Sequence, residues 1–221
     1  MGKLNNIQVA ALVGAKEHAV KQIEAGVDIL VVAGTEAGGH CGDVSTLVLV
    51  PEVCQAVAAY DVPVLAAGGI VTGRQMAACM AMGAAGAWTG SMWLTTTESE
   101  VSPVIKNKYT AASSRQTVRT KARTGKYSRQ LRSAWTDAWE SEDAPDPLPM
   151  PLQSLVTESP LGRVTKLAET GHQGAKQLAT YFVGQGVGLM DSIQSTRSLV
   201  YEFMEDFLQA KERLMDAFGD E

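Results

Sequence analysis

Cysteine is scarce in this chain of 221 residues: Cys41, Cys54 and Cys79 make an odd number with no C-x-x-C spacing. That excludes a disulfide framework and a zinc site built on paired cysteines, and it suits a reducing cytoplasm. Aromatic residues are only 6% of the chain, and no apolar run approaches the roughly 18 residues that cross a membrane. The amino terminus lacks the pattern of a secretory signal, and Asn6 stands where a myristoylation site needs Ser or Thr. Positive charge is the minority sign, 19 Lys and Arg against 24 Asp and Glu, so the molecule has no bulk attraction to nucleic acid or an anionic membrane. What is abundant is apolar residue, 45% of the chain, which is ample for a packed core.

From Ile7 to about Leu94 short β-prone runs alternate with helical patterns, the signature of β/α units on a parallel sheet. Strands are expected at Gln8 to Val13, Asp28 to Ala33, Val62 to Ala67 and Ala87 to Thr89. Helices are expected at Ala15 to Ala25, Thr46 to Ala59 and Gly73 to Met82. Ile29 to Ala33 and Val62 to Ala67 are continuously apolar rather than alternating, as strands covered on both faces are. After Leu94 the chain turns polar, with few β-prone runs. Ala144 to Pro151 holds four prolines and reads as a loop; Leu161 to Glu169 and Ala175 to Val183 read as short helices. Asp191 to Phe218 reads as one amphipathic helix whose apolar stripe includes Leu199, Phe203, Phe207 and Leu208. The expected division is a β/α part over residues 1–100 and a mainly helical extension over 101–221.

Glycines cluster just after strands, where β/α folds place their ligands. Three such loops stand out: Gly34 to Gly42, Ala67-Gly68-Gly69-Ile70 and Trp88-Thr89-Gly90-Ser91. Glycine lets backbone N–H groups approach a phosphate with no Cβ in the way. One glycine loop alone is as well explained by a tight turn; two at neighbouring strand ends read as a phosphate grip. His40 is the one histidine in such a loop, and a neutral imidazole can take a proton from carbon, so it is the candidate base. Glu36 and His40 lack the further ligands a metal site needs. Cys41 follows His40 directly, and consecutive side chains point in different directions, which argues against a nucleophile pair. His18 and His172 read as solvated or structural, and Gly184-Gln185-Gly186-Val187-Gly188 as a turn.

Nine basic residues and no acid lie between Lys106 and Arg132. They read as a solvated surface balanced by the acidic C-terminal helix; with Tyr109 and Tyr127 the only aromatics there, a nucleic-acid grip is the lesser reading.

Taken together, Gly34-Thr35-Glu36-Ala37-Gly38-Gly39-His40, Leu49-Val50-Pro51, Pro63 to Ile70, Met82-Gly83-Ala84 and Gly90-Ser91 resemble the nitronate monooxygenase family, formerly 2-nitropropane dioxygenase. The likeness covers roughly residues 7 to 100, and the remainder is similar to the C-terminal extension of actinobacterial members. It implies an FMN-dependent TIM-type (β/α) barrel, an oxidoreductase that turns alkyl nitronates and molecular oxygen into a carbonyl compound and nitrite. It further implies that His40 is the active-site histidine and that Gly38, Gly39, Ala67, Gly68, Gly69, Gly90 and Ser91 hold the flavin. Gly90-Ser91 replaces the family's usual Gly-Thr and keeps the hydroxyl. The resemblance also implies a chain that opens at the fifth barrel strand: a C-terminal half barrel of about four strands. An open half exposes two strand edges, so the implied partner is the missing N-terminal half or a second copy of this chain. A similar glycine-rich loop occurs in the FMN-dependent enoyl-acyl-carrier-protein reductases, the competing enzyme reading; a non-catalytic binding module or remnant is the reading from outside enzymology.

Overall fold

Leu30 to Ala33 is buried end to end, as a strand sandwiched between layers must be, and it forms the centre of a parallel sheet. The computed structural model describes residues Ile7–Phe218; the Gly2 to Asn6 segment read for lipidation lies outside them. The described residues fall into two compact units. In place of one boundary near residue 100, the first unit comprises residues up to Glu36, Gly42–Gly90 and Ser195 onward, and the second comprises Ala37–Cys41 and Ser91–Gln194.

The first unit opens with β1 (Ala10–Val13), α1 (Lys16–Glu24) and β2 (Ile29–Ala33). The chain then contributes β3 (Gly39–His40) to the second unit and returns with α2 (Thr46–Ala56), β4 (Val64–Ala67), α3 (Gly73–Ala81) and β5 (Gly86–Trp88). The four strands of the first unit are parallel in the order β1-β2-β4-β5. Leu30, Val32, Val64 and Ala66 pack with Leu49, Val50 and Val53 of α2 in one core. The sheet is open: among the described residues no closed barrel forms, β1 and β5 each have one strand neighbour, and Leu12 and Trp88 on them are 62% and 53% exposed.

The second unit adds a small sheet to the helices expected of the tail. It carries β6 (Thr117–Thr120) and β7 (Ser128–Leu131), which form an antiparallel sheet with β3 in the order β3-β7-β6. These strands escape a sequence reading because they do not alternate: β7 reads Ser-Arg-Gln-Leu and all four are buried. Around this sheet lie α4 (Pro103–Thr110), α5 (Ala134–Trp139), α6 (Leu152–Glu169) and α7 (Gln173–Leu178). α6 starts nine residues earlier than expected and runs through Pro160, while the proline-rich segment before it is irregular as expected.

The reading of the basic segment holds only in part: Arg115, Lys121, Lys126 and Arg132 are exposed, as a solvated surface implies. Lys106, Arg123 and Arg129 are buried rather than solvated. Lys106 donates to the carbonyls of Thr96 and Ser99 at 2.6 and 2.7 Å, and Arg123 forms a two-pronged pair with Glu158 at 2.8 and 2.9 Å. Burial lowers the Lys108 pKa, and its ammonium donates to the carbonyl of Ala179. These charges are met inside their own unit.

The last helix, α8 (Thr196–Phe218), belongs to the first unit and lies against α3. Its expected apolar stripe divides: Leu199, Phe203 and Phe207 are half-buried, whereas Val200, Met204, Leu208 and Leu214 are exposed. The approach is close enough to demand glycine, since a Cβ at Gly73 would stand 1.9 Å from the Phe203 carbonyl oxygen. Asp206 of α8 accepts from the Arg74 amide at 2.7 Å, satisfying one N–H that the first turn of α3 leaves unpaired. The same carboxylate takes the Arg74 guanidinium, whose hydrogen bond holds Asp206 below the usual carboxylate range.

Candidate functional site

In the first unit the candidate site is built at the carboxyl ends of β4 and β5. Ala67 pairs with Trp88, so the next residues, Gly68-Gly69 and Thr89-Gly90, sit side by side at neighbouring strand tips. Gly68 and Gly69 are both in the left-handed region, with φ of 104° and 71°, a turn that side chains resist. At Gly90 a Cβ would meet nothing within 4 Å among the described residues, so its backbone is open to an incoming group.

Three side chains hold this end of the sheet in shape. Glu36 accepts from the Thr46 amide at 2.9 Å and from the Thr46 hydroxyl at 2.8 Å, placing a carboxylate on the positive N-terminal end of α2. The Thr46 hydroxyl oxygen also lies 3.3 Å from the carbonyl of Ala67 and 3.1 Å from that of Gly68. Gly34 is required by this packing: a Cβ there would stand 2.2 Å from the same hydroxyl oxygen. Gln75 accepts from the amides of Val71 and Thr72 at 2.9 and 3.1 Å and donates to the carbonyl of Gly69 at 2.9 Å. The pattern Thr72-x-x-Gln75 is a capping box legible in sequence, and it signals Gln75; nothing local signals Thr46. Glu36, four residues before His40, serves as a cap on α2.

In the second unit β3 carries Gly39 and His40. Gly39 pairs with Arg129 and His40 with Ser128 on β7. The imidazole is exposed, and its Nε2 lies 2.9 Å from the Thr124 hydroxyl oxygen. A Cβ at Gly39, where φ is 75°, would meet nothing within 4 Å among the described residues. At Gly38 a Cβ would stand 2.7 Å from the Gly184 nitrogen, and that same N–H donates to the Ser91 hydroxyl oxygen at 2.8 Å. The Gly184 to Gly188 segment, read as a turn, opens a short 3-10 helix over Gln185–Leu189, and Gly184 before it is the point where Gly38 and Ser91 meet. On the sheet face that His40 shares with Ser128, the Gln130 carboxamide is fully buried with neither polar atom paired among the described residues. His172 caps α7, its Nδ1 accepting from the Ala175 amide at 3.1 Å, and His18 is exposed on α1.

Of the sequence-derived site residues, Ala67, Gly68, Gly69 and Gly90 therefore come together in the first unit, and Gly38, Gly39, His40 and Ser91 lie in the second. The glycine tips suit a phosphorylated cofactor: they offer backbone free of side chains where parallel α/β sheets take phosphates.

Comparison with known proteins agrees with these features. A family model for nitronate monooxygenase matches residues 3–206. The Mycobacterium tuberculosis protein named "Putative monooxygenase Rv1533" is 53% identical over 204 residues, covering 92% of this chain and 54% of that protein. The solved structure of FabK from Thermotoga maritima matches with a TM-score of 0.80 and 33% identity, covering 98% of this chain and 66% of FabK. The nitroalkane oxidase of Streptomyces ansochromogenes matches with a TM-score of 0.82 and 27% identity, covering 94% of this chain and 59% of the oxidase. The chain thus spans about half the length of the Mycobacterium tuberculosis relative. With the family pattern running through both units, the chain belongs to the nitronate monooxygenase family.

Proposed function

We propose that this chain is the C-terminal half of an FMN-dependent β/α-barrel oxidoreductase acting in the cytoplasm, which converts alkyl nitronates and molecular oxygen to carbonyl compounds and nitrite. The observation that carries the reading is the adjacency of Gly68-Gly69 and Gly90 at neighbouring strand tips. Two nitronates and one dioxygen balance to two carbonyl compounds and two nitrite ions, and FMN, when bound, supplies the electron transfer between them. Gly68, Gly69 and Gly90, with Ala67 beside them, would hold its phosphate through backbone N–H groups; Gly38, Gly39 and Ser91 are further flavin contacts that the family resemblance implies. His40 takes the proton from the carbon bearing the nitro group when the substrate arrives as a neutral nitroalkane.

The open sheet supports a partner. Further β/α units, on the same polypeptide or another chain, would cover the edges at β1 and β5, where Leu12 and Trp88 are exposed. A second copy of this chain is the other candidate, and light scattering that finds only monomer at micromolar concentration would remove it.

The function is tested by nitrite release from the chain combined with those further β/α units. His40→Ala is expected to lower turnover of a neutral nitroalkane by about 10²- to 10⁴-fold, the usual worth of a positioned base, while leaving a pre-formed nitronate far less affected. Equal loss on both substrates would remove His40 as the base. The likeness to FabK favours a second reading, reduction of an enoyl thioester; NAD(P)H oxidation driven by such a thioester, without nitrite release from a nitronate, would select it.

A further inference from the structure

We infer that Thr124 fixes neutral His40 as the Nε2–H tautomer, which leaves Nδ1 as the nitrogen that accepts a proton. The catalytic meaning rests on the proposed role of His40 as base; the tautomer itself does not.

A count of protons decides between the tautomers. The Thr124 hydroxyl oxygen lies 2.9 Å from His40 Nε2, 3.0 Å from the Lys126 carbonyl oxygen and 3.3 Å from the Lys126 amide nitrogen. A hydroxyl has one proton and two lone pairs. The carbonyl only accepts and the amide N–H only donates. All three contacts are satisfied together in one arrangement: the hydroxyl proton goes to the Lys126 carbonyl, and the lone pairs receive the Lys126 N–H and the His40 Nε2–H. In the other neutral tautomer Thr124 must donate to Nε2, and the 3.0 Å bond to the Lys126 carbonyl is lost. One hydrogen bond biases the equilibrium on the order of tenfold.

Thr124 is well placed to impose this choice. It is buried, and the residues around it are tied to α6: Gln153 donates to the Ala122 carbonyl at 2.6 Å, and Thr157 donates to the Arg123 carbonyl at 2.7 Å. Gly125 has φ of 80°, and a Cβ there would stand 2.2 Å from the Leu148 carbonyl oxygen, so the turn also seats against the proline-rich segment. The backbone of His40 is held by its pairing with Ser128. Nδ1 has no partner among the described residues, so the accepting nitrogen is the free one. Thr124 is a positioning residue: it acts through the imidazole.

The test is the ¹⁵N spectrum of histidine side chains in the full chain at mildly alkaline pH, with neither flavin nor substrate present. His40 is assigned by its disappearance in His40→Gln. His172, whose Nδ1 accepts a backbone N–H, is the internal reference for the Nε2–H tautomer. The expected result is a His40 Nδ1 resonance far downfield, like that of His172, and a protonated Nε2. In Thr124→Val the two His40 resonances are expected to converge, and Thr124→Ser is expected to restore their separation. A protonated Nδ1 in the wild type, or unchanged resonances in Thr124→Val while the other signals keep their folded positions, overturns the inference. Failure of the nitroalkane assay alongside the expected spectrum would instead remove the functional reading and leave the tautomer standing.

Discussion

Gly73→Ala is expected to lower the stability of the first unit by about 3 kcal/mol or more, the upper end of overpacking costs. In a helix taken alone the same change should help, since alanine is a better helix former than glycine by about 1 kcal/mol. The sign is set by what the new methyl meets. It would stand 1.9 Å from the Phe203 carbonyl oxygen, 2.3 Å from the Phe207 nitrogen and 2.9 Å from the Phe207 Cα. All three are backbone atoms, which move only if α8 moves. Displacing α8 also withdraws Asp206 from the Arg74 amide. For a chain of this size the expected loss corresponds to roughly 6 to 12 °C in Tm. Gly162→Ala on the exposed face of α6, where a Cβ meets nothing within 4 Å, is the control and should stabilise slightly. Thermal unfolding of the two variants with opposite signs would support close α3–α8 packing; a neutral or stabilising Gly73→Ala would contradict it.

Glu158→Gln should have the second large effect, because it leaves the Arg123 guanidinium buried without its counter-charge. Arg123 is 4% exposed and lies over the rings of Tyr181 and Phe182, at 4.9 and 4.6 Å. Removing one member of a fully buried ion pair costs about 3–5 kcal/mol. Glu158 is 49% exposed, so solvent screening reduces the expectation to about 1–3 kcal/mol at neutral pH. The pH dependence has a definite sign. The hydrogen bonds from Arg123 hold the Glu158 pKa below the ordinary glutamate value. Stability from a depressed carboxylate is fully present above its unfolded pKa, near 4.3, and is lost as pH falls through the lower folded value. The gap between wild type and Glu158→Gln in urea unfolding should therefore be constant above about pH 5 and shrink as acid is added. A gap that widens in acid would contradict the assignment.

The parts of the fold that local pattern controls are legible in the sequence. β2 and β4 announce themselves as unbroken apolar runs because both their faces are covered, and the glycines at 68, 69 and 90 mark the strand tips. β6 and β7 are not legible. Ser128 and Gln130 are fully buried yet polar, and what makes them strand is pairing with β3, almost ninety positions away in the chain. No window of local hydrophobicity contains that information. The basic segment misleads for the same reason: Lys106 and Arg123 find their partners through tertiary contacts, with carbonyls at Thr96 and Ser99 and with the carboxylate of Glu158. At the candidate site His40 is legible from its loop, whereas Thr124, 84 positions on, is not. Glu36 reads from sequence only as a neighbour of the histidine; the fold shows that it caps α2 through Thr46.

If the paired glycine tips of β4 and β5 take the phosphate of FMN, amide spectra of the ¹⁵N-labelled chain titrated with FMN to millimolar concentration will register it at those tips. The Gly68, Gly69 and Gly90 amides are expected to shift together along one saturation curve, and inorganic phosphate is expected to move the same three in the same direction. Shifts confined to other residues, with these three amides unmoved, would refute the phosphate grip.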